Sequence, residues 1–243
     1  GDATGGAIAR RFAREGYVAC VTRRSADKLQ PLVDSIRAAG GEAHGFGSDA
    51  RKEDEVTALV EDIENRIGDI DVFVFNIGAN VPCSVLDETA RKYFTIWEMA
   101  CYPGFLTGQA VARRMAARRR GTMIFTGATA SLRGAANFAA FAGAKHALRA
   151  LAQSLSRELG PANVHVAHVI IDGAIDTVFI RDNFPERYAL KNEDGLLAPE
   201  HTGGLAGNMT DMGIVMEELG RAVHPGPCWA SCVGATSAAA VFG

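Results

Sequence analysis

Short apolar runs rich in β-branched and aromatic residues alternate along this chain with amphipathic helical stretches, and that alternation limits the possible folds more than any other feature. YVACVT (17–22), EAHGFG (42–47), DVFVFN (71–76), TMIFTG (122–127) and VHVAHVII (164–171) predict strands. Between them, ADKLQPLVDSIRAAGG and RKEDEVTALVEDIENRIGD carry apolar residues at helical spacing, the first ending in a glycine pair that stops a helix. Repeated strand–helix units make a parallel sheet. The unbroken apolar character of DVFVFN and VHVAHVII suits strands covered by helices on both faces. The predicted fold class is therefore α/β, a doubly wound parallel sheet.

Charge and cysteine usage narrow the partners. A formal net charge of -3 gives no electrostatic reason to expect nucleic acid or an anionic membrane. No apolar run approaches the roughly 18 residues of a membrane span. Arg118, Arg119 and Arg120 form a basic run too short for a binding patch, and they read as the solvated end of a helix. Cys20, Cys83, Cys101, Cys228 and Cys232 are odd in number and scattered, so a disulfide framework is not expected and a reducing, cytoplasmic setting is. No metal site is expected either, because Cys228 and Cys232 lack further ligands at metal spacing. A small-molecule substrate is the partner that remains.

In doubly wound sheets ligands bind beyond the carboxyl ends of the strands, so the loops there are where chemistry is sought. GDATGGA opens the first helix, and its glycines let backbone N–H groups approach a pyrophosphate; an ordinary glycine-rich turn is the alternative. Arg23 and Arg24 follow YVACVT, where an acid would hold a ribose diol. Two guanidinium groups there favour a 2′-phosphate and hence NADP(H), with NAD(H) the second choice; two solvated arginines at a helix start are the bland reading. SDA, with Asp49 and Ala50, follows EAHGFG, and NIGAN, with Asn76 and Gly78, follows DVFVFN.

Taken with FAGAK (141–145), these motifs resemble, in order and spacing, the short-chain dehydrogenase/reductase family over roughly residues 1–200. The resemblance implies a Rossmann-like fold and hydride transfer between a nicotinamide cofactor and a small carbonyl or alcohol. It also implies that Thr4 and Gly5 lie in the pyrophosphate turn, that Asp49 lies near adenine and that Asn76 and Gly78 steady the sheet. Gly173, Ile175 and Thr177 of DGAIDT would contact the nicotinamide end, with Asp172 where the family has proline.

The same mapping empties the catalytic positions. The family uses a tyrosine as acid/base, a lysine that lowers its pKa and holds ribose, a serine that orients the substrate oxygen, and an asparagine that supports a relay water. Lys145 is in place, but the tyrosine position is Phe141, the serine position thirteen residues earlier is Ala128, and the asparagine position is Ala100. Loss of one positioned acid typically costs about 10²- to 10⁴-fold in rate. Thr129, Ser131 and Tyr102 lie within a few residues of the vacated positions and are the candidate replacements. The alternative is that Thr129 and Ser131 serve only loop hydrogen bonds. The helix after Phe141 keeps its amphipathic pattern, so the replacement is confined to polar chemistry.

Both ends depart from the family. The first helix has no strand before it, and a missing first strand would leave open sheet edges. Residues 201–243 are expected to be a helical tail of different origin: GGLAGNMTDMGIVMEELGRAVHPGP resembles a fragment of the acyl-CoA dehydrogenase N-terminal helical domain. There Thr210 or Asp211 would cap a helix MGIVMEELG, and no seventh strand is expected. A junction of two genes is the first reading of this tail and a divergent natural terminus the second. The residues 179–199, with Arg181, Arg187 and Tyr188, are expected over the substrate pocket. Three functional readings follow: an NADP(H) oxidoreductase with a non-standard site, an inert nucleotide-binding or scaffold protein of the same fold pairing through its long helices as a homo-oligomer, and a non-functional chimeric fragment.

Overall fold

The structure, a computed structural model, describes residues 3–191, 195–199 and 214–217. These fall into two compact units, one formed by the residues up to Ser48 and from Ile171 to Ile214, the other by Asp49–Ile170 with the residues from Val215.

In the first unit, α1 (Thr4–Arg14) starts directly from the glycine-rich turn, and Ala3 at its N-cap offers no side chain to the first N–H groups. Its alanines Ala9 and Ala13 pack with Ala19 of β1 (Val18–Arg23) and with Leu32, Val33 and Ile36 of α2 (Gln30–Ala38). Small residues on α1 let the helix lie close to the strand. β1 pairs in parallel with β2 (Glu42–Gly47), from Val18 opposite Glu42 to Arg23 opposite Gly47. Farther along the chain, α7 (Val178–Asn183) and α8 (Pro185–Ala189) replace the open loop expected there.

The second unit runs α3 (Glu53–Arg66), β3 (Val72–Phe75), α4 (Ala90–Ala100), α5 (Tyr102–Arg118), β4 (Gly121–Ala128), α6 (Ala139–Leu159) and β5 (Val164–Ile171). Acidic Glu53, Asp54 and Glu55 sit in the first turn of α3, where they complement the positive end of the helix dipole. β3 and β4 are parallel, with Val72 opposite Thr122 and Phe75 opposite Phe125. Met115, Met123, Phe125 and Leu148 form the enclosed centre of the core that α5 and α6 lay over this sheet. The basic run at the end of α5 is a set of tethers rather than a patch. Arg118 donates to Glu64 Oε1 at 2.6 Å and to the Ile70 carbonyl at 2.9 Å, and Arg120 pairs with Asp71 at 2.7 Å.

The described strands form two sheets, β1-β2 and β3-β4-β5-β6. β1 and β3 are each hydrogen-bonded to one neighbour only among the described residues. The tail differs from expectation. Ile214–Glu217 is a strand, β6, beside β5, where the sequence predicts a helix over 212–220 and no further strand. β-branched residues favour the extended conformation, and an available sheet edge outweighs a weak helical preference. Thr210, Asp211 and the remainder of 218–243 lie outside the described residues.

Gly104 in the first turn of α5 permits a close approach of α5 to Leu148 and Phe75 in this core. A Cβ there would lie 2.6 Å from Leu148 Cδ1 and 3.3 Å from the Phe75 ring. Gly104→Val is expected to destabilise the chain by about 1–3 kcal/mol through overpacking, read as a lower urea midpoint at unchanged slope.

Candidate functional site

The centre of the second unit holds a buried cation. Lys145 is 4% exposed, placed by α6 beneath the ends of two strands. Its Nζ donates to the Thr126 carbonyl at 2.8 Å and to the Ile77 carbonyl at 3.2 Å, so one ammonium ties β4 to the loop after β3. Burial pulls it down from the ordinary 10.5 to about 8, with the neighbouring Cys101 acting the other way. Among the described residues no carboxylate bonds it, and backbone carbonyls receive its protons. The Phe141 ring, one helical turn earlier on α6, has its centroid 5.9 Å from Nζ. At this range a phenyl face attracts an ammonium by about 0.5–2 kcal/mol, which makes Phe141 a tolerated neighbour for the charge.

The end of β4 turns sharply at Ala128 into a single 3-10 turn, Thr129–Ser131. Ser131 is 0% exposed. Its hydroxyl accepts from the Ala128 N–H at 3.2 Å and lies 3.4 Å from His168 Nε2 on β5, while its carbonyl is reached by Arg149 Nη1 at 3.4 Å. Ser131 is thus an enclosed structural hydroxyl, not one carried into the site as the sequence suggests; the tight turn rotates it inward. Thr129, at the start of the turn, is half-buried and remains on the corner.

His168 is the residue that the sequence reading misses. It is 4% exposed, and burial, joined by the positive charges of Lys145 and Arg149, holds it from the ordinary 6.5 down to about 4. Its Nδ1 has no hydrogen-bond partner. Gly127 lets the imidazole lie against β4, because a Cβ there would sit 2.6 Å from His168 Nε2 and 2.9 Å from Ser131 Oγ. The available signal was a pair of histidines, His165 and His168, inside a mainly apolar strand expected to be covered on both faces, where a polar ring needs a partner.

The three vacated catalytic positions are packed with apolar side chains. Ala100 and Phe141 belong to the core cluster, and Ala128 packs against it. Tyr102, the third candidate hydroxyl, opens α5 with its ring stacked on Trp97 at 6.0 Å and 23°, and Trp97 in turn stacks on Phe94. Beside the loop after β3 lies an open cleft of about 410 Å³, lined by apolar Ala79, Val81, Ile96 and Met99 and by the basic Arg91 and Lys92.

The candidate cofactor residues divide between the two units. In the first, Thr4 is buried at the start of α1 beside Gly5, and Arg23 and Arg24 project exposed from the end of β1, with no ion-pair partner among the described residues. Ile175 forms a parallel bridge with Leu197, Gly173 lets Leu197 approach, and Thr177 caps α7 by accepting from the Ile180 N–H at 3.2 Å. In the second, Asp49 is held by Arg51 at 2.5 Å and 2.9 Å, and its N–H donates to Glu55 at 2.7 Å. Ala50 is half-buried beside it, and Asn76 and Gly78 are exposed after β3. The Asn76 amide makes no hydrogen bond among the described residues, so no bond there carries the steadying role that the resemblance implies.

The short chain dehydrogenase family model matches residues 1–187, which takes in both units' candidate residues. The chain belongs to that family. It is 30% identical over 175 residues to the 3-oxoacyl-[acyl-carrier-protein] reductase MabA of Mycobacterium avium, covering 72% of this chain and 64% of that protein. It is 32% identical over 187 residues to the short-chain reductase protein NovJ of Streptomyces niveus, covering 77% and 70%. Among solved structures, a short-chain dehydrogenase from Rhodopseudomonas palustris is 47% identical with a TM-score of 0.68, covering 77% of this chain and 87% of that one. A metagenomic short-chain oxidoreductase in complex with NADP is 27% identical with a TM-score of 0.66, covering 74% and 82%. These neighbours share the parallel sheet with flanking helices described above.

His168 gives the site a pH signature. Because folding lowers its pKa, its contribution to stability is complete above about 6.5 and is lost as pH falls toward 4. Acid titration of the melting temperature is expected to show a loss on the order of 3 kcal/mol in that window, absent from His168→Gln.

Proposed function

We propose that this short-chain dehydrogenase is an NADP(H)-dependent oxidoreductase that interconverts a small carbonyl compound and its alcohol, with NAD(H) the alternative cofactor. The observation that carries the reading is the retained Lys145 ammonium, buried with no carboxylate bonding it among the described residues and held at the ends of β3 and β4. A buried charge of this kind is costly to keep in a merely structural role.

The residues present fit a phosphorylated dinucleotide. Arg23 and Arg24 offer two exposed guanidinium groups for a 2′-phosphate, and the uncapped N–H groups of α1 suit a pyrophosphate. The Lys145 ammonium would hold ribose hydroxyls. When bound, the reduced nicotinamide supplies the hydride that a carbonyl carbon accepts. Thr129 is assigned to orient the substrate oxygen, which takes up its proton from water, since Ser131 is enclosed and the Tyr102 ring is stacked away in its aromatic row. Phe141 would present an apolar wall beside Lys145, and the 410 Å³ cleft suits a small substrate. The NADP complex of the metagenomic relative supports the cofactor assignment.

The second reading, an inert nucleotide-binding protein of the same fold, draws on the same packing: an apolar core has closed over three acid/base positions. Titration with NADPH, followed by its fluorescence, and assay of its oxidation with a panel of small ketones and aldehydes separate the two. Binding with turnover is expected, and Phe141→Tyr is expected to raise the rate by about 10²-fold. Binding without turnover in either protein favours the inert reading, and no binding at all removes both.

Lys145 also predicts how binding depends on pH. NADPH affinity is expected to fall as pH rises through about 8, where the ammonium loses its charge, and Lys145→Met is expected to bind weakly with no such inflection.

A further inference from the structure

The corner between β4 and α6 is gripped by three side chains from two other elements. Lys145 and Arg149, one turn apart on α6, reach the carbonyls of Thr126 and Ser131. From β5, His168 abuts the Ser131 hydroxyl, which in turn receives the Ala128 N–H. Two of these groups act on carbonyls that any residue would offer. His168 acts on a side chain, and it reaches that side chain only because position 127 is glycine. A buried imidazole with one nitrogen unpartnered carries a desolvation cost. Val or Ile, which fill most of the other positions of β5, would occupy this one without that cost.

We infer that His168 is a positioning residue. Through Ser131 it fixes the Ala128–Ser131 corner and thereby holds Thr129 where the missing serine's hydroxyl would act. The chemistry of the contact is specific. Ser131 Oγ accepts from Ala128 N–H, so its second lone pair is free to accept from a protonated Nε2, which leaves Nδ1 as the bare acceptor. The alternative, with the proton on Nδ1, would bury a donor with no acceptor. The ring therefore acts as a neutral donor at one end, and an amide side chain of similar reach can do the same.

The catalytic half of this inference rests on the oxidoreductase reading above; the positioning half does not. Amide hydrogen exchange of Ala128, compared with Phe125 in the same strand, reads the corner directly. In His168→Leu the Ala128 amide is expected to exchange at least about tenfold faster while Phe125 is unchanged, and in His168→Gln its protection is expected to be largely restored. Equal protection in the unaltered chain and His168→Leu, or equal loss in Leu and Gln, overturns the positioning role. Faster exchange at both amides in His168→Leu would show general destabilisation, and it too would overturn the specific role. In turnover, His168→Leu and Thr129→Val are each expected to lower kcat by about 10- to 100-fold with NADPH affinity within twofold, whereas His168→Gln and Thr129→Ser retain most of it. The double variant should be no worse than the poorer single. A fall in kcat for His168→Leu that Gln does not rescue, or independent losses that multiply, overturns the link to Thr129. If the unaltered chain shows no turnover, the oxidoreductase reading and the catalytic half fall together, and the exchange measurement still decides whether His168 holds the corner.

Discussion

Two hydrogen bonds from one buried ammonium organise the centre of this protein. Lys145 takes its protons to the carbonyls of Thr126 and Ile77, so α6, the end of β4 and the loop after β3 are fixed to one another by a single side chain. Removing the charge from water is expensive, and backbone dipoles return only part of that cost. The lowered pKa measures what is not returned. Other groups at the site lie around this point: the Phe141 face beside it, Cys101 near it, and Arg149, one helical turn along α6, reaching the Ser131 carbonyl.

The positions that the family resemblance assigns to an acid/base set are filled here by side chains that pack. Ala100 is fully enclosed, Phe141 lies in the core, and Ala128 packs against it, while the lysine that served the missing phenol keeps its position. Polar satisfaction has moved inward at the same time. Ser131 and His168 form a buried contact between the end of β4 and β5, and Gly127 gives that contact the room it needs. A cofactor scaffold with its cation intact and its proton donor replaced is consistent with chemistry routed through a different hydroxyl.

How far the sequence could be read depended on whether a feature was periodic or spatial. The five strands lie within a residue or two of their predicted positions because alternation of apolar runs with 3.6-residue patterns is a local signal. Lys145, Phe141, Ala128 and Ala100 were legible because motif spacing fixes them. Ser131 was not, since a hydroxyl three residues past a strand end can turn either way, and only the 3-10 turn decides that it goes inward. His168 was passed over inside VHVAHVII because its partner lies 37 residues away in sequence. β6 went unread because a strand of four residues is decided by an edge to pair with, and no local pattern reports that edge.

By itself the sequence determined the fold class and the family, and it located Lys145, since each is a matter of residue type at a fixed spacing along the chain. Only the tertiary structure decided that the Ser131 hydroxyl is enclosed and that an imidazole from β5 lies against it. The reason is physical. Burial and hydrogen-bond partnership are properties of residues brought together from distant parts of the chain, and a strand carries no local record of what will lie against it.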